Sequence, residues 1–315
     1  MTPRVDLSSI VSKQSPALLL VNPEAGGGRA GKFAPRVERY FSTQDFPIEI
    51  VRTTSAQDLE ARAREAILGD RRLLAAMGGD GTFQGLANAA FGADVVLGLI
   101  PAGGGNDFSA ALGIPRDPIA AARAMLHGEA RGVELLHAKT ADGKSRFYCG
   151  GGGIGLDAET AKYASGIFRR WPGTLRYAAS ALRALRGFVP LDVQVDFPDG
   201  EERAVKAQVL LATVLNTPTY GAGLKLVPGA RPDDGWLHVV LVGELRWMEV
   251  LELLPRLFLG KSIEIPQLQR YRARQVRLSA NRPCAFHGDG EIFGPAPVEV
   301  ELVQRAIRVL APRTD

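Results

Sequence analysis

The residue order Gly-Gly-Asp-Gly-Thr at 78–82 follows an apolar run and is the part of the chain best suited to chemistry. Glycines such as Gly79 and Gly81 let a backbone approach an anion, and the N–H groups of a helix that begins here would point at it. Asp80 would repel a bare phosphate, so its presence indicates a divalent cation, or a proton to be moved, between carboxylate and phosphate. The alternative is a strand-to-helix turn that Asp80 and Thr82 cap.

A second glycine-rich segment, PEAGGGRAGK, follows the apolar run 17–22. The run ends in Asn22, and a GxGxxG spacing begins at Gly26, which predicts a loop after a buried parallel strand. Arg29 in this loop could meet a phosphate. The match to a Walker loop is incomplete, because Phe33 stands where that loop needs a hydroxyl for magnesium. A solvated turn is the alternative for this segment.

The third glycine-rich segment, PAGGGNDF, follows the apolar run 95–100. Gly103 opens the backbone at the end of this predicted strand, and Asn106 and Asp107 lie where a following helix would be capped. In an open parallel sheet the carboxyl ends of the strands share one edge, where ligands bind. Three glycine-rich loops at one edge therefore predict a site for a nucleotide-sized anionic ligand.

Carboxylates in the second half of the chain lie in predicted turns. Asp233 and Asp234 precede an apolar run. Paired carboxylates of this kind form turns or, beside backbone carbonyls, hold Mg²⁺ or Ca²⁺. Asp289 and Glu291 flank a glycine after another predicted strand. A hairpin tip would explain this Asp-Gly pair without chemistry, so both interpretations stay open.

The elements that must position these residues differ between the two halves. The first half alternates strands with helices, as at 48–52 and 56–68, which predicts a Rossmann-like parallel sheet. From about residue 137, Asp-Gly turns separate alternating or β-branched runs, which predicts antiparallel hairpins. The expected fold is an α/β lobe followed by a β-rich lobe. The last apolar run, 306–310, could belong to either of them.

Three further segments are predicted to be helical. Residues 34–41 follow the PEAGGGRAGK segment. Residues 171–188 carry leucines near helical spacing with arginines among them, which fits a helix packed on a sheet with its arginines in solvent. The alternative is a helix at the entrance for an amphiphile, or one that touches an anionic membrane. Residues 248–259 form a short apolar helix that could cover a hydrophobic slot or the core.

Length and composition limit the class of protein. The chain has 315 residues, enough for two domains, with 46% hydrophobic and 23% charged residues. No apolar run approaches the roughly 20 residues that span a bilayer, and the N-terminal segment lacks a signal-peptide core. Cys149 and Cys284 are far apart in the sequence, which fits a protein of the reducing cytoplasm. Their side chains are expected to pack in the apolar interior. A net charge of +4 slightly favours anionic partners such as nucleotides or acidic membrane surfaces.

Together these motifs resemble the diacylglycerol kinase catalytic-domain family, in particular the bacterial soluble lipid kinases related to diacylglycerol and sphingosine kinases. The resemblance covers nearly the whole chain. It rests on six motifs that occur in order along the chain. Three lie in the first half: the Asn-Pro at 22–23 with the glycines after it, GGDGT at 78–82, and the loop at 101–108 that contains PAG and NDF. Three lie in the second half, at 153–157, 232–235 and 289–291. GGDGT also occurs in phosphofructokinases and NAD kinases, whereas the six together are specific.

The resemblance implies a nucleotide-binding lobe at 1–136, completed by 303–315, and a β-sandwich lipid-substrate lobe at 137–302, with the active site between them. It implies ATP and Mg²⁺ as cofactors and a lipid presented at a membrane surface as the substrate. No nucleic acid is expected, and a homodimer is compatible with the sequence. The expected location is the cytoplasm, with peripheral contact at the inner face of the membrane left open.

The resemblance also implies residue roles. Asp80 would organise Mg²⁺ and the nucleotide phosphates with support from Asp107, and Asp234 would hold a metal that shapes the second lobe. Asp289 would be the general base that takes the proton from a lipid hydroxyl, and Glu291 would help to orient it. The other residues implied in nucleotide binding are Asn22, Gly26, Arg29, Gly79, Gly81, Thr82, Gly103 and Asn106.

Two departures from the family pattern leave alternatives open. Gln84 stands where the family has Glu, and Gly104 stands where it has Thr. Both losses would weaken the phosphate or metal shell, so a nucleotide- or lipid-binding relative with little turnover is one alternative. An NAD kinase relative is another, although its Asn-Glu motif is not apparent. A Rossmann oxidoreductase is disfavoured, because Arg52 rather than an acid closes the second strand.

Overall fold

Four segments of the first half form parallel strands, and three of them are continuous apolar runs, as is typical of strands buried on both faces. In the computed structural model they are β1 (Ala17–Val21), β2 (Ile48–Arg52), β3 (Leu73–Gly78) and β4 (Val96–Pro101). They pair in parallel in the order β2–β1–β3–β4. Every residue of β1, β3 and β4 is buried. The carboxyl ends of these three strands therefore lie side by side at one edge.

Helices connect these strands. They are α1 (Leu7–Ile10), α2 (Ala25–Thr43), α3 (Ala56–Leu68), α4 (Asp80–Ala90), α5 (Asp107–Ala111) and α6 (Pro118–His127). The prediction of α3 is confirmed, and Ser55 caps this helix by accepting a hydrogen bond from the N–H of Asp58. Helix α2 is longer than the predicted 34–41. Its buried stripe begins at Ala30, and a turn of positive φ at 26–28 leads directly into it.

The second half forms the antiparallel strands that the Asp-Gly turns predicted. They are β5 (Glu129–Thr140), β6 (Ser145–Tyr148), β7 (Gly151–Gly155), β8 (Leu191–Asp196), β9 (Ala204–Leu215), β10 (Thr219–Tyr220), β11 (Leu224–Lys225), β12 (Leu237–Gly243), β13 (Leu268–Ala273), β14 (Gln275–Ala280), β15 (Ala285–Gly288), β16 (Glu291–Pro295) and β17 (Val298–Ala311). Strand β9 pairs with β8, β7 and β12. Apolar side chains from these strands, among them Tyr148, Val195 and Phe286, form one buried cluster.

The structure describes residues 7–156, 159–160, 163, 166–168, 171, 173–199, 203–221, 223–245, 248–249, 252–253, 256 and 264–313. The chain divides into two compact units. The first unit comprises Met1–Leu135 and Gln304–Asp315, and the second comprises Leu136–Val303. The end of β17 pairs in parallel with β4, so this last strand completes the sheet of the first unit. A parallel α/β unit and a β-rich unit confirm the predicted fold class.

The helix predicted at 171–188 is α7 (Gly173–Leu185). Arg183 and Arg186 are exposed, as expected for a helix packed with its arginines in solvent. Most of the helix predicted at 248–259 lies outside the described residues, as does Asp157 of the 153–157 motif. Within the ranges given above, no helix is both long and apolar enough to cross a membrane. Cys149 and Cys284 form no disulfide.

Candidate functional site

Asp80 joins two of the glycine-rich loops of the first unit. Its Oδ2 accepts hydrogen bonds from the N–H groups of Asn106 (2.9 Å) and Asp107 (3.2 Å), and its Oδ1 accepts one from Phe108 (3.2 Å). A carboxylate stabilises the first turn of a helix in this way. Asn106 occupies the N-cap position of α5, but its side chain makes no capping bond. The loop after β3 therefore supplies the cap for the helix after β4.

Close approaches between backbones hold the loops after β3 and β4 together. A Cβ at Gly103 would lie 2.5 Å from the Cα of Gly79 and 2.8 Å from the Oδ1 of Asn106. That oxygen accepts a hydrogen bond from the N–H of Gly103 (3.0 Å), and the Nδ2 of Asn106 donates to the Gly103 carbonyl (2.9 Å). Only glycines fit such a contact, so these residues define the shape of the edge.

The loop after β1 meets both of the other loops. The Nδ2 of Asn22 donates to the Oγ1 of Thr82 (3.2 Å). Gly26 has a φ of 64°, and a Cβ there would lie 2.1 Å from the carbonyl oxygen of Ala102. Arg29 is exposed at the start of the regular part of α2. The structure thus brings together the residues that the sequence placed at one edge, with Gly81 in the first turn of α4.

We expect Gly103→Ala to distort this edge, because its methyl group would overlap the backbone of Gly79. The free energy of unfolding should fall by about 1–3 kcal/mol, and ATP affinity should fall with it. Thermal unfolding with and without ATP measures both effects. Gly69→Ala is the matched control, since a Cβ there would have its nearest neighbours at 3.5 and 3.6 Å, which are ordinary contacts. Wild-type stability and ATP binding in Gly103→Ala would contradict the role given to this contact.

A magnesium ion that arrives at this edge with a nucleotide stays a prediction. Both Asp80 oxygens accept hydrogen bonds from the backbone of the loop after β4. Among the described residues, no cluster of three or more His, Cys, Asp or Glu side chains could hold a metal ion. Mg²⁺ is usually bound through one or two carboxylates, water and substrate phosphates. Asp80 and Asp107 are the carboxylates that the resemblance assigns to this ion.

Asp234 closes a turn in the second unit. Its Oδ2 accepts from the N–H of Arg231 (3.0 Å), its Oδ1 accepts from the N–H of Trp236 (3.0 Å), and its Oδ2 lies 3.0 Å from the Nε2 of the buried His238. Burial opposes its ionisation, but the hydrogen bonds from His238 and the backbone outweigh burial and lower the pKa of Asp234. The described surroundings are those of a turn and an imidazole, and a metal at Asp234 stays a prediction.

Asp289 lies in a cradle of three consecutive N–H groups. It starts the two-residue turn between β15 and β16 with a φ of 49°, a conformation that Asp tolerates. Its Oδ2 accepts from the N–H of Cys149 (2.7 Å), and its Oδ1 accepts from those of Gly150 (2.9 Å) and Gly151 (3.2 Å). Its own N–H donates to the carbonyl of Gly151 (2.9 Å). The hairpin prediction is correct, and the turn also fixes a carboxylate.

The sequence reasoning missed the residues that form this cradle. Four glycines stand at 150–153, and their number was the available signal. A Cβ at Gly150 would lie 3.1 Å from the Oδ1 of Asp289, and one at Gly152 would lie 2.5 Å from the carbonyl oxygen of His287. Glycines are therefore required for the hairpin that carries Asp289 to lie this close to β7.

The cradle holds a carboxyl group of unusual proton affinity. Burial raises the pKa of Asp289 to about 6; the three N–H groups oppose this shift, and the charge of Glu291 adds to it. Burial, together with the negative charge of Asp289, raises the pKa of the Tyr148 hydroxyl well above its usual value. The Oε2 of Glu291 lies 3.7 Å from the guanidinium of Arg146. A carboxylate with a pKa near neutrality is suited to accept a proton from an alcohol.

Comparison with known proteins agrees with both units. Residues 16–138 match the diacylglycerol kinase catalytic domain, and residues 152–311 match the YegS C-terminal NAD kinase beta sandwich-like domain. The chain belongs to the diacylglycerol kinase family. It is therefore a lipid kinase, a phosphotransferase with an alcohol acceptor, and the family prediction is confirmed.

Members of this family match over nearly their whole length. A diacylglycerol kinase of Mycobacterium tuberculosis is 29% identical over 296 residues, which cover 93% of this chain and 94% of the relative. One of Bacillus subtilis is 26% identical over 300 residues, 94% of this chain and 96% of the relative. A crystal structure of a diacylglycerol kinase from Bacillus anthracis has a TM-score of 0.70 at 20% identity and covers 94% of this chain and 97% of its own. The family fold is thus shared throughout.

The residue that departs from the family pattern at position 84 lies in the interior. Gln84 is fully buried in α4, and its main-chain carbonyl oxygen accepts a hydrogen bond from the Nδ2 of Asn88 (2.8 Å). A carboxylate at this depth would carry a large desolvation cost. Gln84 thus avoids a buried charge. Gly104, the second departure, is exposed in the loop after β4.

We expect Gln84→Glu to destabilise the protein without raising turnover. The free energy of unfolding should fall by about 1–3 kcal/mol, because a charged group enters the interior. Gln57→Glu, at an exposed position in the first turn of α3, is the control and should keep wild-type stability. Thermal unfolding and phosphorylation rates measure the two effects. A gain in turnover at unchanged stability would instead favour the alternative of a catalytically weakened relative.

Proposed function

We propose that this lipid kinase transfers the γ-phosphate of Mg-ATP to the hydroxyl group of a diacylglycerol-like or sphingoid-like lipid. The observation that carries the proposal is the carboxylate of Asp289, held by three N–H groups with its pKa raised to about 6. Phosphoryl transfer asks a protein mainly for positioning and charge neutralisation, and one carboxylate beside the attacking hydroxyl is a sufficient base.

The nucleotide is assigned to the glycine-rich edge of the first unit. Three glycine-rich loops pack against one another through Gly26, Gly79 and Gly103 and form this edge. The exposed Arg29 can meet a phosphate there. Asp80 and Asp107 would hold the magnesium ion of Mg-ATP, with Asn22 and Thr82 fixing the neighbouring loops. Bound Mg²⁺ neutralises charge on the phosphates.

The acceptor is assigned to the surroundings of Asp289. As the alcohol oxygen bonds to the γ-phosphorus, the bond from that phosphorus to the bridging oxygen breaks and ADP leaves. The alcohol proton passes to the carboxylate of Asp289 and then to solvent. Glu291 is proposed to orient the acceptor, and its contact with Arg146 at 3.7 Å holds its side chain.

The support for this acceptor class is the family of the relatives, because the relatives above carry the name diacylglycerol kinase. We propose that the lipid is met at a membrane surface in the cytoplasm.

An acceptor comparison tests this proposal. Purified protein is incubated with γ-labelled ATP and Mg²⁺ in the presence of diacylglycerol in mixed micelles, sphingosine in mixed micelles, or NAD. We expect label in the organic phase with a lipid, and none on NAD. The match of the second unit to an NAD kinase-like sandwich favours NAD as the second candidate acceptor. Labelled NADP with unlabelled lipid would replace the proposed function with that alternative.

A further inference from the structure

A tyrosine and a histidine that the mechanism above does not use are bonded to each other beside Asp289. The hydroxyl of Tyr220 lies 3.0 Å from the Nε2 of His287. The two rings are stacked, with centroids 6.2 Å apart and planes inclined by 21°. His287 is buried and stands two residues before Asp289, at the end of β15. The pair therefore links the short hairpin formed by β10 and β11 to the strand that carries Asp289.

The ring of Tyr220 also packs against the cradle of Asp289. A Cβ on Gly151 would lie 2.6 Å from the Cδ2 of Leu215, 2.7 Å from the Cδ2 of Tyr220 and 3.0 Å from its Cε2, so the ring covers the Cα of Gly151 together with Leu215. Gly151 donates its N–H to the Oδ1 of Asp289 and accepts the N–H of Asp289 at its own carbonyl. One ring thus presses on the residue that is bonded twice to Asp289.

A threonine ties the same hairpin to the cradle at a second point. The hydroxyl of the buried Thr217 is within hydrogen-bond distance of the carbonyl oxygens of Gly150 (3.3 Å) and Thr219 (2.8 Å). On the other side, His287 pairs with Gly153 of β7. The backbone that donates to Asp289 is therefore held from the β10–β11 hairpin and from β15, and Tyr220 with His287 closes the connection between these two supports.

We propose that Tyr220 and His287 are positioning residues that hold Asp289 in its cradle and keep water from its carboxylate during phosphoryl transfer. This inference rests on the proposed function, in which Asp289 is the general base. Neither residue needs to touch the reacting atoms. The ring of Tyr220 fixes Gly151, and the hydrogen bond to His287 fixes the ring.

Loss of the ring has a consequence that a merely structural residue would not produce. Burial is the largest cause of the raised pKa of Asp289, and an open space above Gly151 would admit water and lower that pKa. The ionisable residues around Asp289 in the described chain include Glu291, Tyr148, Cys149, Tyr220 and His287, with Arg146 beside Glu291. Of the groups around Asp289, the variants below alter Tyr220 and His287.

The test is the pH dependence of kcat for lipid phosphorylation. Tyr220→Ala should lower kcat about 10- to 100-fold by misplacing the base and leave KM for ATP unchanged. The acidic limb of the pH–kcat profile, at which kcat falls as the pH is lowered, should move below its wild-type position near pH 6. Tyr220→Phe keeps the ring and should keep the limb, with a smaller loss of kcat. His287→Gln, whose side-chain amide can still form a hydrogen bond with the Tyr220 hydroxyl, should retain more activity than His287→Ala. Tyr271→Phe removes a hydroxyl that donates to Gln269 and is the control expected to behave as wild type.

The outcomes separate this inference from the proposed function. A Tyr220→Ala protein with the wild-type kcat and the wild-type acidic limb of the pH–kcat profile would overturn the positioning role. An inactive Asp289→Asn protein would at the same time uphold Asp289 as the general base. An active Asp289→Asn protein would remove the base itself. If Tyr220→Ala does not fold, the comparison of His287→Gln with His287→Ala decides, and equal kcat values for these two would overturn the inference.

Discussion

Asp289→Asn is expected to lower kcat for lipid phosphorylation by roughly a hundred- to ten-thousandfold, the usual contribution of a general base. The amide has the shape of the carboxylate but accepts no proton from the alcohol at neutral pH. Its oxygen can still accept from the N–H groups of Gly150 and Gly151, so two of the three hydrogen bonds to the carboxylate remain, and the bond from the N–H of Cys149 is lost. Initial rates with γ-labelled ATP, measured at saturating lipid, give the loss in kcat.

The control for this variant is another Asp→Asn change in the same unit. Asp142 lies in the turn between β5 and β6, where hydrogen bonds from Lys144 and Thr140 lower its pKa to about 2. Asp142→Asn should leave kcat unchanged, and ATP affinity should be the same in both variants. Equal rates for wild type and Asp289→Asn would be incompatible with Asp289 as the base.

Asp80→Ala is expected to have the second largest effect. It removes the acceptor of three N–H groups, those of Asn106, Asp107 and Phe108. The free energy of unfolding should fall by about 1–3 kcal/mol. The loop that carries Gly103 loses its anchor, so ATP affinity should fall by roughly tenfold or more, which corresponds to at least about 1.4 kcal/mol of binding energy. Calorimetric titration with Mg-ATP and thermal unfolding measure the two losses.

A second capping aspartate provides the comparison for Asp80. The Oδ1 of Asp117 accepts hydrogen bonds from the N–H groups of Ile119 (3.1 Å) and Ala120 (2.9 Å) at the start of α6. Asp117→Ala should cost about 1 kcal/mol of stability, as other lost caps do, with wild-type ATP affinity. The interpretation of the edge would fail if the two variants bound ATP equally well.

The parts of this structure that local patterns encode were predictable. Strands β1, β3 and β4 are continuous apolar runs, and α3 has a capping serine followed by a regular stripe. The Asp-Gly pair at 289–290 predicted a hairpin because it favours a tight turn with positive φ. The three glycine-rich loops could be placed at one edge because parallel strands share their direction.

The remaining features depend on contacts between distant parts of the chain. Asp80 bonds to residues 26 to 28 positions away, and Asp289 bonds to residues 138 to 140 positions away. A carboxylate in a turn pattern has many possible donors, and no local rule selects among them. The glycines at 150–153 indicate that another part of the chain approaches this backbone closely, but they do not identify which residue approaches. The start of α2 was missed because the glycines at 26–28 precede its first buried apolar residue, so no apolar helical pattern is visible there.

The pH dependence of kcat for lipid phosphorylation by the wild-type protein tests the central claim most directly. Burial raises the pKa of Asp289 to about 6, so the carboxyl group is protonated below that pH and cannot accept the alcohol proton. We expect a rate that is constant above about pH 7 and falls tenfold for each pH unit well below 6. A rate independent of pH between about 4 and 8 would contradict a base with this pKa.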